Sequence, residues 1–163
     1  MCIRDSSGTT GRSKGAMLTH ANLLSNAQTL VDYWQFTQSD ILLHALPVYH
    51  THGLFVACNT IALAGASMIF QPAFKLDCVV DQLPHATTMM GVPTFYTRLL
   101  SDDRFDSELI RHIRLFISGS APLLAETHEA FAARTGHKIL ERYGMTETNM
   151  NTSNPYDLSL IHI

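Results

Sequence analysis

The sequence IRLFISGSAP occupies residues 113–122 and shows the pattern on which the fold rests. An apolar run of strand length, residues 113–118, leads directly into a loop of small residues that begins at Gly119. An amphipathic segment, residues 124–134, follows this loop and stops at Gly136. Short apolar runs are typical of buried strands, and apolar side chains at helical spacing before a glycine are typical of helices. This stretch therefore predicts a strand–loop–helix unit.

The same unit recurs along the chain. Strands are predicted over residues 40–46, 67–70, 87–92, 113–118 and 138–143, and helices over residues 21–36, 54–63, 77–83, 94–101 and 124–134. Alternating strands and helices predict an α/β fold with a mostly parallel sheet flanked by helices. Ligands bind outside the carboxyl ends of the strands in such sheets. We therefore expect one crevice to be formed by the loops at residues 47–53, 91–93, 118–122 and 144–147.

A second informative stretch, SSGTTGRSKG at residues 6–15, combines glycines, hydroxyls and two cations without an apolar side chain. Glycines let the backbone approach a ligand, and hydroxyls and cations suit phosphate oxygens, so one interpretation is a polyphosphate cradle. The alternative is a flexible Ser/Gly linker. Gly8 and Gly11 are separated by two residues and Lys14 precedes Gly15, which excludes the spacing of a Walker P-loop.

Composition narrows the function classes. The 163 residues suffice for one domain with a sizeable core, or for a piece of a larger one. A formal net charge of −3 without a basic cluster argues against a nucleic-acid surface. Three widely separated cysteines predict neither a disulfide framework nor a zinc site and suit a reducing compartment. We expect a cytoplasmic protein without a membrane segment, and a mitochondrial location stays open because the true N-terminus is interpreted as missing.

Both ends of the chain depart from this pattern. Residues 1–5 run straight into the glycine-rich stretch and leave no room for a preceding strand, and residues 158–163 are a short apolar tail after a polar turn. We interpret both as non-native ends of a truncated reading frame. The alternative is that they are genuine terminal strands.

Two histidines, His50 and His52, stand in the loop after the strand at residues 40–46. No carboxylate or cysteine nearby completes a metal site, so we favour hydrogen bonding to an anionic substrate. Surface histidines without a role are the alternative. Arg98, on the helix at residues 94–101, is a candidate carboxylate ligand if it turns toward the crevice, and a solvated helix charge if it turns outward.

The later loops add further candidates. Glu147 follows a strand end and is placed to hold Mg²⁺ between phosphate oxygens, which Thr146 would also meet. The small residues at 118–122 leave space for a flat ring, and Gly119 suits a tight turn. Their order lacks the Gly-x-Ser-x-Gly of a nucleophile elbow, which disfavours a hydrolase triad.

Four motifs in order carry a resemblance to a known family: residues 6–15, 47–53, 118–122 and 143–147. Together they are similar to the core motifs of the adenylate-forming superfamily, which comprises acyl-CoA synthetases, luciferases and peptide-synthetase adenylation domains. The stretches at residues 50–55, 90–98 and 114–123 resemble malonyl-CoA synthetases most within it. The resemblance implies that residues 6–157 are part of a large N-terminal adenylation domain.

The resemblance also implies roles for individual residues. Substrates and cofactors would be a carboxylic acid, ATP, Mg²⁺ and coenzyme A. The catalytic residues implied are Lys14, Thr146 and Glu147. Phosphate binding is implied for Ser7, Gly8, Thr9, Thr10, Gly11, Lys14 and Thr146. Adenine binding is implied for Ser120, Ala121, Pro122, Glu141, Arg142, Tyr143 and Gly144. Metal binding is implied for Thr10 and Glu147.

A malonate substrate would require a cation for its distal carboxylate, because an unpaired buried charge is costly. Arg98 is the candidate, assisted by His50, His52 and Ser118. Ser13 stands where the superfamily usually has proline, and the ribose-binding aspartate, the hinge and the lysine-bearing C-terminal domain are missing, so we expect the chain alone to be inactive. A ligase for another short-chain or aryl acid, and an inactive nucleotide-binding module, are the alternatives.

Overall fold

The computed structural model describes residues 2–6, for which only the backbone is considered, and residues 14–157. Its centre is a six-stranded sheet with the strand order β4-β3-β5-β6-β7-β8. The strands are β3 (Ile41–His44), β4 (Ser67–Phe70), β5 (Thr88–Gly91), β6 (Leu115–Ser118), β7 (Ile139–Met145) and β8 (Asn149–Ser153). All neighbouring pairs are parallel except β7 and β8. The predicted α/β fold with a mostly parallel sheet is confirmed.

Helices cover both faces of this sheet, as buried parallel strands require. They are α1 (His20–Tyr33), α2 (Asn59–Ala64), α3 (Leu76–Gln82), α4 (Pro93–Leu100) and α5 (Ala125–Thr135). A π-helical segment, His52–Cys58, leads into α2, and a 3₁₀ turn, Leu83–His85, follows α3. Each predicted helix is present, with ends shifted by a few residues.

The two faces of the sheet carry separate cores because successive strand residues point in opposite directions. Leu43, Met89 and Phe116 pack with side chains of α3, α4 and α5. Leu42 and Met90 pack on the other face with residues of α1 and the π-helical segment. No described helix is long and apolar enough to cross a membrane.

The start of the chain contradicts one expectation. Residues Cys2–Ser6 form strand β1, which pairs antiparallel with β2 (Lys14–Leu18) so that Ser6 lies opposite Lys14. The prediction that no strand precedes the glycine-rich stretch is wrong, because this stretch connects the two strands of a hairpin and not a sheet strand to a helix. Whether residues 1–5 are native stays a prediction, and residues 158–163 lie outside the described part of the chain.

Strand β8 is not predicted from the sequence. Its residues are mostly Asn, Thr and Ser, so no apolar run indicates a strand here. The strand is held from the side by α1, where the Asn26 amide donates to the Met150 carbonyl at 3.0 Å and accepts from its N–H at 3.3 Å. The Trp34 indole also donates to Ser153 Oγ at 2.9 Å. Helix α1 thereby fixes the β7–β8 hairpin and the turn at its tip.

Candidate active site

The carboxyl ends of the parallel strands form one face, as the topology predicts. The chain runs from β3 outward to β4 and then returns to β5 on the opposite side of β3, so the strand order reverses between β3 and β5. Such a reversal opens a crevice in an α/β sheet. A cavity of about 260 Å³ lies on this face, between the loop after β3 and the β7–β8 hairpin.

The cavity brings together seven residues named from the sequence. They are His50, His52, Ser120, Arg142, Gly144, Thr146 and Glu147. Of three more lining residues, Thr51 and Met145 lie in loops predicted to form the crevice but were not named individually, and Met150 was missed. Thr51 lies between the two histidines, which is a signal that could have found it. Met150 belongs to β8, and no apolar run marks that strand.

The loop after β3 is fixed by hydrogen bonds between its own residues. The His50 N–H donates to the Pro47 carbonyl at 3.1 Å, and the His52 N–H donates to His50 Nδ1 at 3.2 Å. Gly53 lies so close that a Cβ there would overlap the Pro47 carbonyl oxygen, which explains the glycine. The π-helical segment begins at His52, and π-helical turns often accompany functional sites.

His52 is a buried, neutral imidazole. Burial, followed by the positive charge of Arg142 and by the neighbouring His50 and His44, holds the pKa of His52 well below its usual 6.5. Its Nδ1 lies 3.2 Å from Ser120 Oγ, and its Nε2 has no partner among the described residues. His52 can therefore exchange hydrogen bonds with an anionic ligand, as expected of the histidine pair, without adding a positive charge.

Arg142 supplies that charge. Its side chain lies on β7 at the cavity wall with only 5% exposure. Nε and Nη2 have no hydrogen-bond partner among the described residues. Burial lowers the pKa of the guanidinium to about 10, which is still high enough to keep it protonated near neutral pH. Two unpartnered nitrogens make this buried cation costly, and an anion bound beside the guanidinium would stabilise it.

The hairpin tip carries the remaining polar groups. The pairing of β7 with β8 shifts register between Tyr143 and Gly144. Such a bulge turns the strand and re-aims the residues that follow it, here the half-buried Thr146 and the exposed Glu147. Glu147 also lines a second cavity of about 400 Å³ together with Met17 and Leu18 of β2. It therefore lies between the Arg142 cavity and the strand that follows the glycine-rich stretch.

Within residues 2–6 and 14–157 no cluster of three His, Cys, Asp or Glu side chains could hold a metal ion. Mg²⁺ usually binds through one or two carboxylates together with substrate phosphates. A single carboxylate at Glu147 fits that mode of binding. The predicted partner ligand, Thr10, lies outside the described residues, as do Ser7, Gly8, Thr9 and Gly11 of the phosphate-binding set.

Arg98 does not face the cavity. It is exposed on α4, and its guanidinium carbon lies 4.8 Å from the centre of the Phe74 ring. Of the two orientations left open by the sequence, the exposed position beside the Phe74 ring corresponds to the solvated helix charge. A contribution of Arg98 to malonate binding stays a prediction.

Other predicted residues have structural partners or lie beside the cavity. Ser118 is fully buried at the end of β6 with an unpartnered Oγ, and Glu141 accepts a hydrogen bond from the Leu123 N–H at 3.1 Å. Four of the predicted nucleotide-binding residues are exposed and do not line the cavity: Lys14, Ala121, Pro122 and Tyr143. Their nucleotide contacts stay predictions.

Gly119 corrects a smaller expectation. The left-handed backbone of this loop belongs to Ser120, with φ of 70°, while Gly119 has no such conformation. The glycine is therefore not required for a turn. Its missing side chain leaves room for the Arg142 guanidinium, which a Cβ at this position would overlap.

Comparison with known proteins agrees with this geometry. Residues 3–161 match the family described as AMP-binding enzyme. The chain belongs to this family. It is 39% identical over 165 residues to the mitochondrial malonate–CoA ligase ACSF3 of Mus musculus, covering 91% of this chain and 28% of that protein.

Two solved structures extend the comparison. ATP-bound MatB from Rhodopseudomonas palustris superposes with a TM-score of 0.93 at 66% identity, over 96% of this chain and 31% of MatB. A malonyl-CoA ligase bound to methylmalonyl-CoA and AMP superposes with a TM-score of 0.88 at 38% identity, over 95% of this chain and 35% of that one. The chain spans less than a third of the length of ACSF3 and of MatB.

Proposed function

We propose that this chain forms the acid- and nucleotide-binding part of an ATP-dependent acid–thiol ligase that prefers malonate. The observation that carries the proposal is Arg142, a buried cation at the cavity wall with two unpartnered nitrogens. A guanidinium presents N–H groups in a fork that matches a carboxylate. A dicarboxylic acid could pair this charge with one end and react at the other, a role that would replace the adenine contact implied for Arg142 by the resemblance.

The similarity to malonate–CoA ligases supports the same substrate. The reaction would proceed in two steps. A carboxylate oxygen of malonate attacks the α-phosphorus of ATP, and the bond to the β-phosphate breaks, which releases pyrophosphate. The coenzyme A sulfur then attacks the acyl carbon of malonyl-adenylate, AMP leaves, and the thiol proton passes to solvent. All reactants are water-soluble, which suits the cytoplasm or a mitochondrial matrix.

The chain's own residues would position these reactants. Arg142 would bind the distal carboxylate of malonate. The neutral His52 would form a hydrogen bond to an oxygen of the same anion without adding charge. Glu147, which also lines the cavity beside β2, and the neighbouring Thr146 would meet the phosphates. Mg²⁺ held by Glu147 would supply positive charge to phosphate oxygens. This arrangement stabilises charge and aligns the reactants without a covalent enzyme intermediate.

The test uses a chimera in which this chain replaces the matching segment of R. palustris MatB, since the two are 66% identical over 96% of this chain. Pyrophosphate release is measured with malonate and with propionate, which has the same carbon number but lacks the distal carboxylate. We expect malonate to be the better substrate by kcat/KM. Equal or faster turnover of propionate would contradict the proposal.

A further inference from the structure

We propose that Asn26 of α1 is a positioning residue that holds Glu147 where the ligase binds ATP with Mg²⁺. The inference rests on the proposed function, because it takes Glu147 as the carboxylate for Mg²⁺. Asn26 lies far from Glu147 in the sequence and belongs to none of the four motifs at residues 6–15, 47–53, 118–122 and 143–147. Only the tertiary structure connects the two residues.

The hairpin tip that carries Glu147 is closed by its own backbone. Met145 pairs with Asn149 across the turn, and the Thr148 N–H donates to the Met145 carbonyl at 3.3 Å. Asn149 is buried and has a left-handed φ of 58°. A Cβ at Gly144 would overlap the Asn149 carbonyl oxygen, so glycine permits this close approach. The tip therefore moves together with β8, and the contacts that hold β8 also place Glu147.

Asn26 holds β8 at its outer edge. β8 is the last strand of the sheet, so only one of its edges pairs with another strand. The Asn26 amide donates to the Met150 carbonyl at 3.0 Å and accepts from the Met150 N–H at 3.3 Å. A neighbouring antiparallel strand would form the same two bonds with a single residue of an edge strand. Asn26 thus takes the place of a further strand at Met150, which is three residues after Glu147.

Helix α1 connects this contact with β2, the strand that follows the glycine-rich stretch. β2 ends at Leu18 and α1 begins at His20, and Thr19 between them forms a capping box with Asn22. The Asn22 N–H donates to Thr19 Oγ1 at 3.0 Å, and the Thr19 N–H donates to Asn22 Oδ1 at 3.0 Å. Asn22 and Asn26 lie about one turn apart on the same face of the helix. Adjacent turns of α1 therefore hold β2 and the hairpin tip.

A cavity of about 400 Å³ lies between β2, α1 and the hairpin tip, and both Asn26 and Glu147 line it. Glu147 is the only carboxylate among the described residues of this lining. Without the two hydrogen bonds from Asn26, the tip can shift into this space and carry Glu147 with it. Partners that orient a metal ligand typically contribute about 10- to 100-fold in metal affinity. The part of the ATP affinity that depends on Mg²⁺ is therefore the property that Asn26 should control.

The experiment measures ATP binding to the MatB chimera by isothermal titration calorimetry without malonate, once with Mg²⁺ and once with EDTA. The ratio of the two Kd values is the gain in ATP affinity that Mg²⁺ provides. We expect Asn26→Ala to lower this gain roughly tenfold, because the carboxylate of Glu147 is displaced. Glu147→Gln should remove the gain. Asn26→Ala should then have no further effect on it, because no carboxylate remains to be positioned.

Ser153→Ala is the matched control. It removes the hydrogen bond that Ser153 Oγ accepts from the Trp34 indole at 2.9 Å, which is a second contact between α1 and β8. Ser153 is the last residue of β8, at the end away from the hairpin tip. We expect both Ser153→Ala and Asn26→Ala to lower the melting temperature, and only Asn26→Ala to lower the gain from Mg²⁺. A purely structural role of Asn26 would not produce this difference.

An unchanged gain from Mg²⁺ in Asn26→Ala would overturn the inference, and so would an equal fall in Ser153→Ala. If Asn26→Ala does not fold, Asn26→Leu replaces it, since leucine keeps the side-chain volume without the two hydrogen bonds, and the same fall is expected. Failure of both variants to fold would make Asn26 purely structural and overturn the inference. The proposed role of Glu147 fails separately, when Glu147→Gln keeps the full gain. That result is obtained without any change at residue 26.

Discussion

Two arginines at opposite ends of the strands, the partly buried Arg114 and the buried Arg142, differ in how completely they are paired. Arg114 lies before β6 and donates to both carboxylate oxygens of Asp40, at 2.8 Å from Nε and 2.9 Å from Nη2. Its remaining donors reach the carbonyls of Trp34 and Gln35 and the Tyr156 hydroxyl. Arg142 has two nitrogens without any partner among the described residues.

This difference in pairing indicates that the amino ends of the strands have a structural role and that the carboxyl ends form the binding site. Burial acts to raise the pKa of Asp40, and hydrogen bonds from Arg114, Thr37 and Thr87 outweigh it and lower the pKa. At the amino ends of the strands a charge pair is thus complete within the fold. At the carboxyl ends the charge has no counter-ion in the described chain, which is the state expected of a site that receives an anion.

The largest effect is expected from Arg114→Ala. The change leaves the Asp40 carboxylate, whose side chain is 4% exposed, without its cation. Breaking a buried pair in this way lowers the free energy of unfolding by about 3–5 kcal/mol. The measurement is urea unfolding of the 163-residue chain, followed by fluorescence of its single tryptophan, Trp34, which accepts a hydrogen bond from Arg114.

Arg111→Ala is the control for this prediction. Arg111 forms an exposed ion pair with Glu108, and such pairs contribute about 0–1 kcal/mol. If the free energy of unfolding falls by a similar amount in Arg111→Ala and Arg114→Ala, the structural role assigned to Arg114 is wrong.

Arg142→Met should have the opposite sign. Methionine fills part of the same volume without a charge, so the chain no longer buries an unpaired cation. We expect the free energy of unfolding to stay the same or to rise by up to about 2 kcal/mol. A loss as large as that of Arg114→Ala would show that Arg142 is paired and structural, and it would contradict the comparison.

Acid should destabilise the fold through the buried histidines His44 and His52. Burial lowers the pKa of His44 to about 4, and it holds the pKa of His52 well below 6.5. The unfolded chain therefore binds protons below pH 6.5 that the folded chain does not, and stability falls by about 1.4 kcal/mol per pH unit for each histidine. The Asp40 carboxyl, with its lowered pKa, adds no loss in this range.

The measurement is urea unfolding at pH 6.5 and 5.5. Between these two pH values the free energy of unfolding should fall by about 1 kcal/mol less in His52→Gln than in the unsubstituted chain. The reason is that one proton fewer is taken up on unfolding. His85→Gln, at an exposed position, serves as the control. An unchanged slope in His52→Gln would mean that His52 is protonated in the folded chain.

The smallest effect is expected from Arg98→Ala. The variant loses an exposed cation–π contact with Phe74, which contributes about 0.5–1 kcal/mol. In the MatB chimera we expect the malonate KM to rise by less than about fivefold, well below the rise from Arg142→Met. A larger rise in Arg98→Ala would favour Arg98 over Arg142 as the receptor for the distal carboxylate.

Much of the fold is predictable because its signals are local. Apolar runs that stop at glycine or proline mark the parallel strands, and helical spacing marks the segments between them. The hairpin of β1 and β2 and the strand β8 are not predictable in this way. Their pairing is antiparallel and their polar residues are fixed by distant partners, such as Asn26 for Met150.

The sequence predicts which loops form the candidate site, but it does not predict the burial, charge state or contacts of the individual side chains. The sequence places Arg98 on a helix and Arg142 in a strand, and only the tertiary structure shows that Arg98 contacts Phe74 at the surface while Arg142 is buried with two unpartnered nitrogens. The neutral state of His52 likewise depends on burial and on the neighbouring Arg142 charge. The reason for glycine at position 119 is a side chain on the next strand.

The most direct test compares malonate with propionate in the MatB chimera, with and without Arg142→Met. The quantity is the ratio of the two kcat/KM values. We predict a strong preference for malonate that falls roughly 10- to 100-fold in Arg142→Met, because the distal carboxylate loses its charge-assisted hydrogen bonds. A ratio that does not change with the substitution would contradict the central claim that Arg142 selects the dicarboxylate.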